Sequence, residues 1–509
     1  MKKIIQTKSK GALAVLLVVF MCLSLLLSSC TEGAEPTGDS SVGTGSSVPN
    51  SQGSLTDNGG DNIKPPRVDI TKEWRGSTLN ILATTWEGET AMAPWSQPEL
   101  SAKEDDFSST AGFGETINSK VVLRNSYVAD TFGVTLNWIN ARSSQVSALL
   151  SEARIVGNQK YHIAMPRVKE AQDLVEKGLV YDLAKSEYID LTKSYYSQAA
   201  REAYTVNNRT LFVSGDFSFL DEASSSVTFY NAAMLEGFEA QSVPDFYELV
   251  KKGEWNVGEM TSVAMLVRKN SGSPQWTDED TYGFGTQGLV QLYGYGGIRQ
   301  VSVDKGQYKL YDGKTNFSEV IEAVLNIKSA EYTRTRWDGD PVDAFVDGRL
   351  LFYTGALQSV DYFENQGKTL KAGILPNPKL AKGQDSYYTL VGERAALMCV
   401  PKATEDRVMS EAFVEILSQT GQEFIIPAYL EKIKACLDPQ IAQQSMEILT
   451  DHVFGKAVYD QGYLHGVLDG VFENAHSGAS GMLPDNTGII AEAEKAVAQW
   501  NKSWLAYTE

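Results

Sequence analysis

The side chains best able to do chemistry are sparse in this chain of 509 residues, and they are not arranged for catalysis. Its four histidines, His162, His452, His465 and His476, are scattered, and no His-Glu-x-x-His pair is present to hold zinc. No Gly-x-Ser-x-Gly elbow presents a serine nucleophile. The stretch "DGDPVDAFVDG" (338–348) departs from a calcium loop at its third ligand. "GFGETIN" and "GYGGIR" lack the full glycine fingerprint of a phosphate cradle. An acidic chain supplies many carboxylate pairs for glycoside hydrolysis, and nothing singles one out. No cofactor is expected. Of the four cysteines, Cys22 and Cys30 lie near the start, and only Cys399 and Cys436 belong to the body. Two cysteines alone have no pairing signature, and they read as unpaired thiols.

Cys30 stands at a boundary. Lys2, Lys3, Lys8 and Lys10 precede a nearly continuous apolar run from Ala12 to Leu27, followed by Ser28, Ser29 and Cys30. A basic start, an apolar centre and small residues at its end make a secretory signal, expected over residues 1–29. The run is short of the about 20 residues that a membrane span needs. "LSSC" (27–30) resembles the bacterial lipobox, which implies that Cys30 becomes the first mature residue and carries acyl chains. Two or more chains give stable anchoring, at about 0.8 kcal/mol per buried methylene. Thr31 to Ile63 contain no Lys, no Arg and no aromatic residue. Such a segment cannot bury enough apolar area to offset its ordering entropy. Residues 30–72 therefore read as a tether, the segment to Ile63 spanning about 30–35 Å as a flexible coil.

The remaining body is long enough for two domains. A net charge of −19 disfavours nucleic acid and anionic lipid as partners of the body. Strand and helix patterns alternate through its first part. "TLNILAT" (78–84), "VTLNWIN" (134–140) and "YHIAMP" (161–166) read as strands. "INSKVVLRNSYVADTFG" (117–133), "SQVSALLSEARIVG" (144–157) and "VKEAQDLVEKGL" (168–179) read as helices with glycine stops. Alternation of this kind predicts a parallel sheet covered on both faces. Further on, Asn256 and Glu259 read as a capping box, "RLLFYTG" (349–355) and "RAALMCVP" (394–401) as strands, and 404–421 as a helix ended by Gly421.

The order of segments resembles the extracellular solute-binding proteins of ABC importers, the group that includes maltose-binding protein. The likeness rests on "VTFYNAAMLEGF" (227–238), "VPDFYELVKKGEWNVGEM" (243–260), "DAFVDGRLLFYTGAL" (343–357), "AGILPNPK" (372–379) and "MCVPKATEDRVMSEAFVEILSQTGQEFI" (398–425). It covers about residues 75–505, with extra sequence around 87–115 and 440–490. It implies an α/β, two-lobed periplasmic-binding-protein-like fold, two doubly wound sheets joined by a hinge. Lobe I is expected over 73–220 plus 390–435, and lobe II over 221–389 plus 436–509. Crossings are expected near 215–225, 388–394 and 430–440. The implied partners are a small-molecule ligand of carbohydrate type, the membrane subunits of an ABC permease and the membrane itself through the lipid, with the protein a monomer.

Ligands of open parallel sheets bind beyond the carboxyl ends of the strands. In the first lobe those ends are Thr85, Trp86 and Glu87, then 140–143, then Pro166 and Arg167. Trp86 offers a flat apolar face to a sugar ring; covering about 100 Å² would gain roughly 2.5 kcal/mol before ordering costs. Glu87 could accept hydroxyl hydrogen bonds. From the second side the candidates are Asp216, Tyr295, Trp337, Tyr353 and Tyr388. Each has a plainer alternative: an Asx-turn for Asp216, a glycine-rich bend around Tyr295, a surface loop for Trp337, core for Tyr353 and hinge packing for Tyr388. Two other functions share some of these features, a lipid-anchored glycoside hydrolase and a ligand sensor for a membrane receptor.

Overall fold

The computed structural model describes residues 74–85, 114–157, 161–239, 241–286, 288, 290–311, 317–334, 341–365, 370–380, 383–477 and 486–508. Two sheets organise them. In the first, β1 (Thr78–Thr85) is central, with β2 (Thr135–Arg142) and β3 (Ile163–Met165) parallel on either side. The chain winds between them through α1 (Gly114–Phe132) and α2 (Val146–Val156), and α3 (Ala171–Glu176) follows β3. Alternation along β1 separates the two faces. Leu79 and Ile81 pack with Ile117, Val121 and Val128 of α1, whereas Leu82 packs with Val146, Leu150 and Leu174 from α2 and α3. The sheet is thus covered on both sides. Gly157 ends α2 at φ +64, a left-handed cap that suits glycine.

The second sheet holds β4 (Ser226–Asn231), β5 (Tyr282–Thr286), β6 (Thr333–Arg334), β7 (Leu350–Ala356) and β8 (Ala372–Leu375), in the order β6-β5-β7-β4-β8. Here β6, β5 and β7 run parallel, and β4 is inserted antiparallel between β7 and β8. Antiparallel bridges Ala164↔Cys399 and Val213↔Met398 give the first sheet the same pattern. A fully parallel sheet was the expectation from alternation. The difference has a simple cause: in each lobe the antiparallel segment is the one that arrives from the other lobe. The stretch 394–401, expected as a strand, is that returning segment in the first lobe, and β4 is its counterpart in the second.

Helix α4 (Val257–Val267) begins where the sequence suggests: the Asn256 side chain accepts from the N–H groups of Gly258 and Glu259. Helix α5 (Val290–Tyr295) follows β5. Helix α6 (Arg407–Ala435) joins the lobes. Asp406 caps it, accepting from Met409 N–H at 2.8 Å. It packs on α1 through Phe413 against Phe132 and Phe424 against Tyr127. It does not stop at Gly421 but continues through Pro427, and α7 (Ala442–Ile448) beyond it packs on β8. The C-terminal helix α8 (Thr487–Leu505) packs against α3 and the hairpin Val301–Asp304/Gln307–Leu310. Gln172 joins these pieces, with its amide nitrogen 3.0 Å from Tyr308 Oη and its oxygen accepting from Trp504 Nε1. Cys399 and Cys436 are not joined in a disulfide.

Candidate functional site

The stretch Ser214–Ser225 carries the chain from the first sheet into β4, and it gathers three carboxylates, Asp216, Asp221 and Glu222. Asp221 lies in the one-turn helix Leu220–Ala223 and is buried. Asp216 and Glu222 are half-buried. Gln422 of α6 donates to Asp216 Oδ2 at 2.7 Å. Tyr459 Oη lies 3.3 Å from Asp221 Oδ2 and 3.2 Å from Ser214 Oγ. The charges of Asp221 and Asp216 both act on Glu222. Three acids this close cannot all ionise cheaply. Burial first, and then the Asp221 charge, push Asp216 up to about 7. Glu222 is raised well above the carboxylate range by burial, by Asp221 and by Asp216.

Several buried atoms at this crossing lack a hydrogen-bond partner: Asp221 Oδ1, Glu222 Oε2, Ser224 Oγ and, from α6, Tyr429 Oη. The Tyr429 ring stacks on Phe219 at 4.7 Å, and its hydroxyl is within electrostatic reach of Glu222 and Asp361. Asp361 forms a buried ion pair with Lys432 one turn further along α6. One face of α6 thus presents Gln422, Tyr429 and Lys432 to the crossing and to the second lobe. The chemistry on offer is acceptance of hydrogen bonds from a polar solute.

Of the seven residues proposed from sequence, four lie among the described residues. Asp216 belongs to the cluster. Tyr295 is buried, and its hydroxyl is tied to Ser226 at the start of β4 and to Gln291. Tyr388 is half-buried; Arg299 lies over its ring at 4.6 Å, and its hydroxyl donates to Asp385. Gln384 donates to the Tyr295 carbonyl at 2.9 Å, so the loops bearing Tyr295 and Tyr388 pack together. Tyr353 is fully buried between Phe229 and Phe345, in the core of the second lobe. Trp86, Glu87 and Trp337 lie outside the described residues, as do Cys30 and residues 1–73. Sequence reasoning passed over Asp221, Glu222, Tyr429 and Tyr459. The available signal was the crowding of acids in "DFSFLDE" (216–222), amid an otherwise apolar stretch.

Two sheets of matched topology, exchanging a strand each and joined by repeated crossings, define a two-lobed ligand-binding protein. The chain belongs to the bacterial extracellular solute-binding protein family, whose model matches residues 123–423. Membership implies an extracytoplasmic location. Solved structures agree on the fold. A cyclo/maltodextrin-binding protein complexed with maltotetraose is 12% identical, covering 85% of this chain and 98% of that one, at a TM-score of 0.52. The sugar-binding protein MalE of Xanthomonas citri is 12% identical over 85% of this chain and 100% of its own, with a TM-score of 0.52. The maltose-binding periplasmic protein MalE of Listeria monocytogenes, in complex with maltose, is 13% identical over 85% and 99%, with a TM-score of 0.50. No curated protein matches the chain in sequence. The family and these neighbours are substrate-binding proteins, not enzymes. No described helix is long and apolar enough to cross a membrane.

Proposed function

We propose that this protein is the lipid-anchored binding component of an ABC importer, which captures a sugar or oligosaccharide between its lobes and delivers it to a membrane permease. The observation that carries the reading is the lobe crossing, where buried oxygen atoms of Asp221, Glu222 and Tyr429 are left without partners. Buried polar groups are seldom left so, because each costs about 1–3 kcal/mol, and a hydroxyl-rich solute would satisfy them. The saccharides bound by the structural neighbours point the same way. Cys30, the tether and a monomeric body complete the proposal: the lipid holds the protein at the membrane, and ligand contacts to both lobes select a closed state.

The test is a thermal-shift screen of the full chain in detergent against malto-oligosaccharides and other neutral saccharides. A true ligand at a hundred times its Kd stabilises by about 2.7 kcal/mol. X-ray scattering should then show a smaller radius of gyration with that ligand. A screen in which no saccharide raises the melting temperature overturns the sugar assignment.

A further inference from the structure

Among the described residues no cation balances the acids at the crossing, whereas the buried carboxylate of Asp361, in the helix after β7, has one. That cation is Lys432. Asp216 has only the neutral amide of Gln422, Asp221 the hydroxyl of Tyr459, and Glu222 the neighbouring acid. The groups facing the cluster are Ser214 from its own segment, Gln422 and Tyr429 from α6, and Tyr459 from the strand Ala457–Val458 and its continuation. None of these is a cation. The fully buried Tyr429 Oη has no partner and lies within electrostatic reach of Asp361 and Glu222, and Asp221 Oδ1 is likewise buried and unpartnered. Among the described residues no three His, Cys, Asp or Glu side chains are placed to hold a metal ion. The missing partner is therefore a group that donates several hydrogen bonds and carries positive charge without demanding metal geometry. An ammonium does both.

We infer that the site at Asp216, Asp221, Glu222 and Tyr429 takes the ammonium group of an amine-bearing solute, an amino sugar unit within the saccharide class proposed above. The inference rests on that reading for the sugar and on the cluster for the amine. The net charge of −19 draws such a ligand in at long range. Binding has a proton balance. Without a cation burial favours the protonated forms of Asp216 and Glu222; as an ammonium forms an ion pair there, a carboxyl proton leaves to solvent. Affinity for the amine should therefore rise with pH while the acids lose their protons and the ammonium keeps its own, and fall once the ammonium is deprotonated.

Calorimetry on the full chain in detergent tests this with three probes: a glucosamine oligomer, its N-acetylated counterpart and spermidine. The glucosamine oligomer is expected to bind roughly tenfold more tightly than the N-acetylated one, as a charged hydrogen bond outweighs a neutral one. Buffers of different ionisation enthalpy should report proton release for the amine alone. Glu222→Gln should bring the two oligomers within about twofold of each other. Tyr429→Phe removes only an unpartnered hydroxyl, leaves the fold intact, and should weaken the amine ligand selectively. Equal binding of both oligomers without proton release overturns the amine inference and leaves the sugar reading standing. Binding of spermidine with neither oligomer bound supports the amine site and overturns the sugar reading. Binding of none of the three overturns the inference.

Discussion

Gly421 in the middle of α6 lies directly against Asp216 at the lobe crossing. A Cβ built on Gly421 would overlap the Asp216 carbonyl oxygen and come within 2.8 Å of Phe217 Cα. This glycine lets the helix touch the crossing backbone. In an open helix Gly→Ala would stabilise by about 1 kcal/mol through propensity. Here the added methyl meets backbone, which cannot swing aside. Gly421→Ala is expected to destabilise by roughly 1–3 kcal/mol, the usual cost of overpacking. Urea unfolding decides the sign, and a gain in stability would mean that the contact is loose.

The same residue shows where the sequence was legible and where it was not. A glycine after a helical pattern reads as a stop, because that is how Gly157 behaves at the end of α2. Nothing local separates that use from the close approach at Gly421, whose partner is some two hundred residues away in the chain. Local signals served well: period-two alternation marked β2, an apolar run marked β7, and Asn256 marked the start of α4. The two-lobed architecture came from segment order. The antiparallel insertion of β4 and of the stretch around Met398 did not, because strand direction depends on which lobe a segment returns from. Within the site, Asp216 was visible as an acid in a turn. Tyr429 and Gln422 were hidden, since both sit on a helix whose pattern looks like ordinary core, and Tyr353 shows how often an aromatic near a strand end is only that.

The ion pair of Lys432 with Asp361 fastens the end of α6 to the helix after β7, and both side chains are buried. Lys432→Met strands a buried carboxylate and should cost about 3–5 kcal/mol. Adding Asp361→Leu removes the stranded charge and should recover most of that loss. Thermal unfolding of the two variants checks it. A double variant as unstable as the single one would show that packing, not charge, sets the cost.

Buried carboxyls should favour the folded state at acid pH, and the imidazoles of His162, His452 and His465, held below their ordinary value by burial, oppose them in the same range. Asp216 and Glu170 are both raised to about 7, chiefly by burial, against ordinary values near 4. Between those limits the folded state holds protons that the unfolded state has released. Their contribution to stability therefore falls as pH rises through that window and flattens above the folded values. Allowing for partial exposure, a loss of roughly 2–4 kcal/mol from these two groups between pH 5 and pH 8 is expected. Asp216→Asn should remove its share of that loss. Denaturant midpoints across this range measure it, and an identical pH curve in the variant would contradict the assignment.

The anchor is open to a direct test. Cys30→Ser removes the thiol that would carry the acyl chains, while the apolar run before it is unchanged. The variant should appear in the medium or accumulate unprocessed, and phase separation in detergent should place it in the aqueous phase. A variant that is cleaved at the same point and still partitions with membranes would falsify the lipid proposal.

In the sequence Trp86 directly follows β1, the central strand of the first sheet, and the carboxyl ends of such strands are where ligands bind. Tyr353 provides the contrast, buried in the second lobe and stacked on Phe229 at 6.0 Å with nearly parallel rings. If Trp86 supplies the flat face on which a sugar ring rests, Trp86→Ala should weaken oligosaccharide binding by about 1–3 kcal/mol and leave the unfolding transition in place. Tyr353→Phe keeps the core ring and gives up only a hydroxyl 3.4 Å from Ser359 Oγ, so its affinity should match that of the unaltered protein. Calorimetry with one proven ligand compares both variants under the same conditions. Unchanged affinity in Trp86→Ala removes that residue from the site. A large loss in Tyr353→Phe would instead move the ligand deeper into the second lobe, towards the ring cluster that now reads as core.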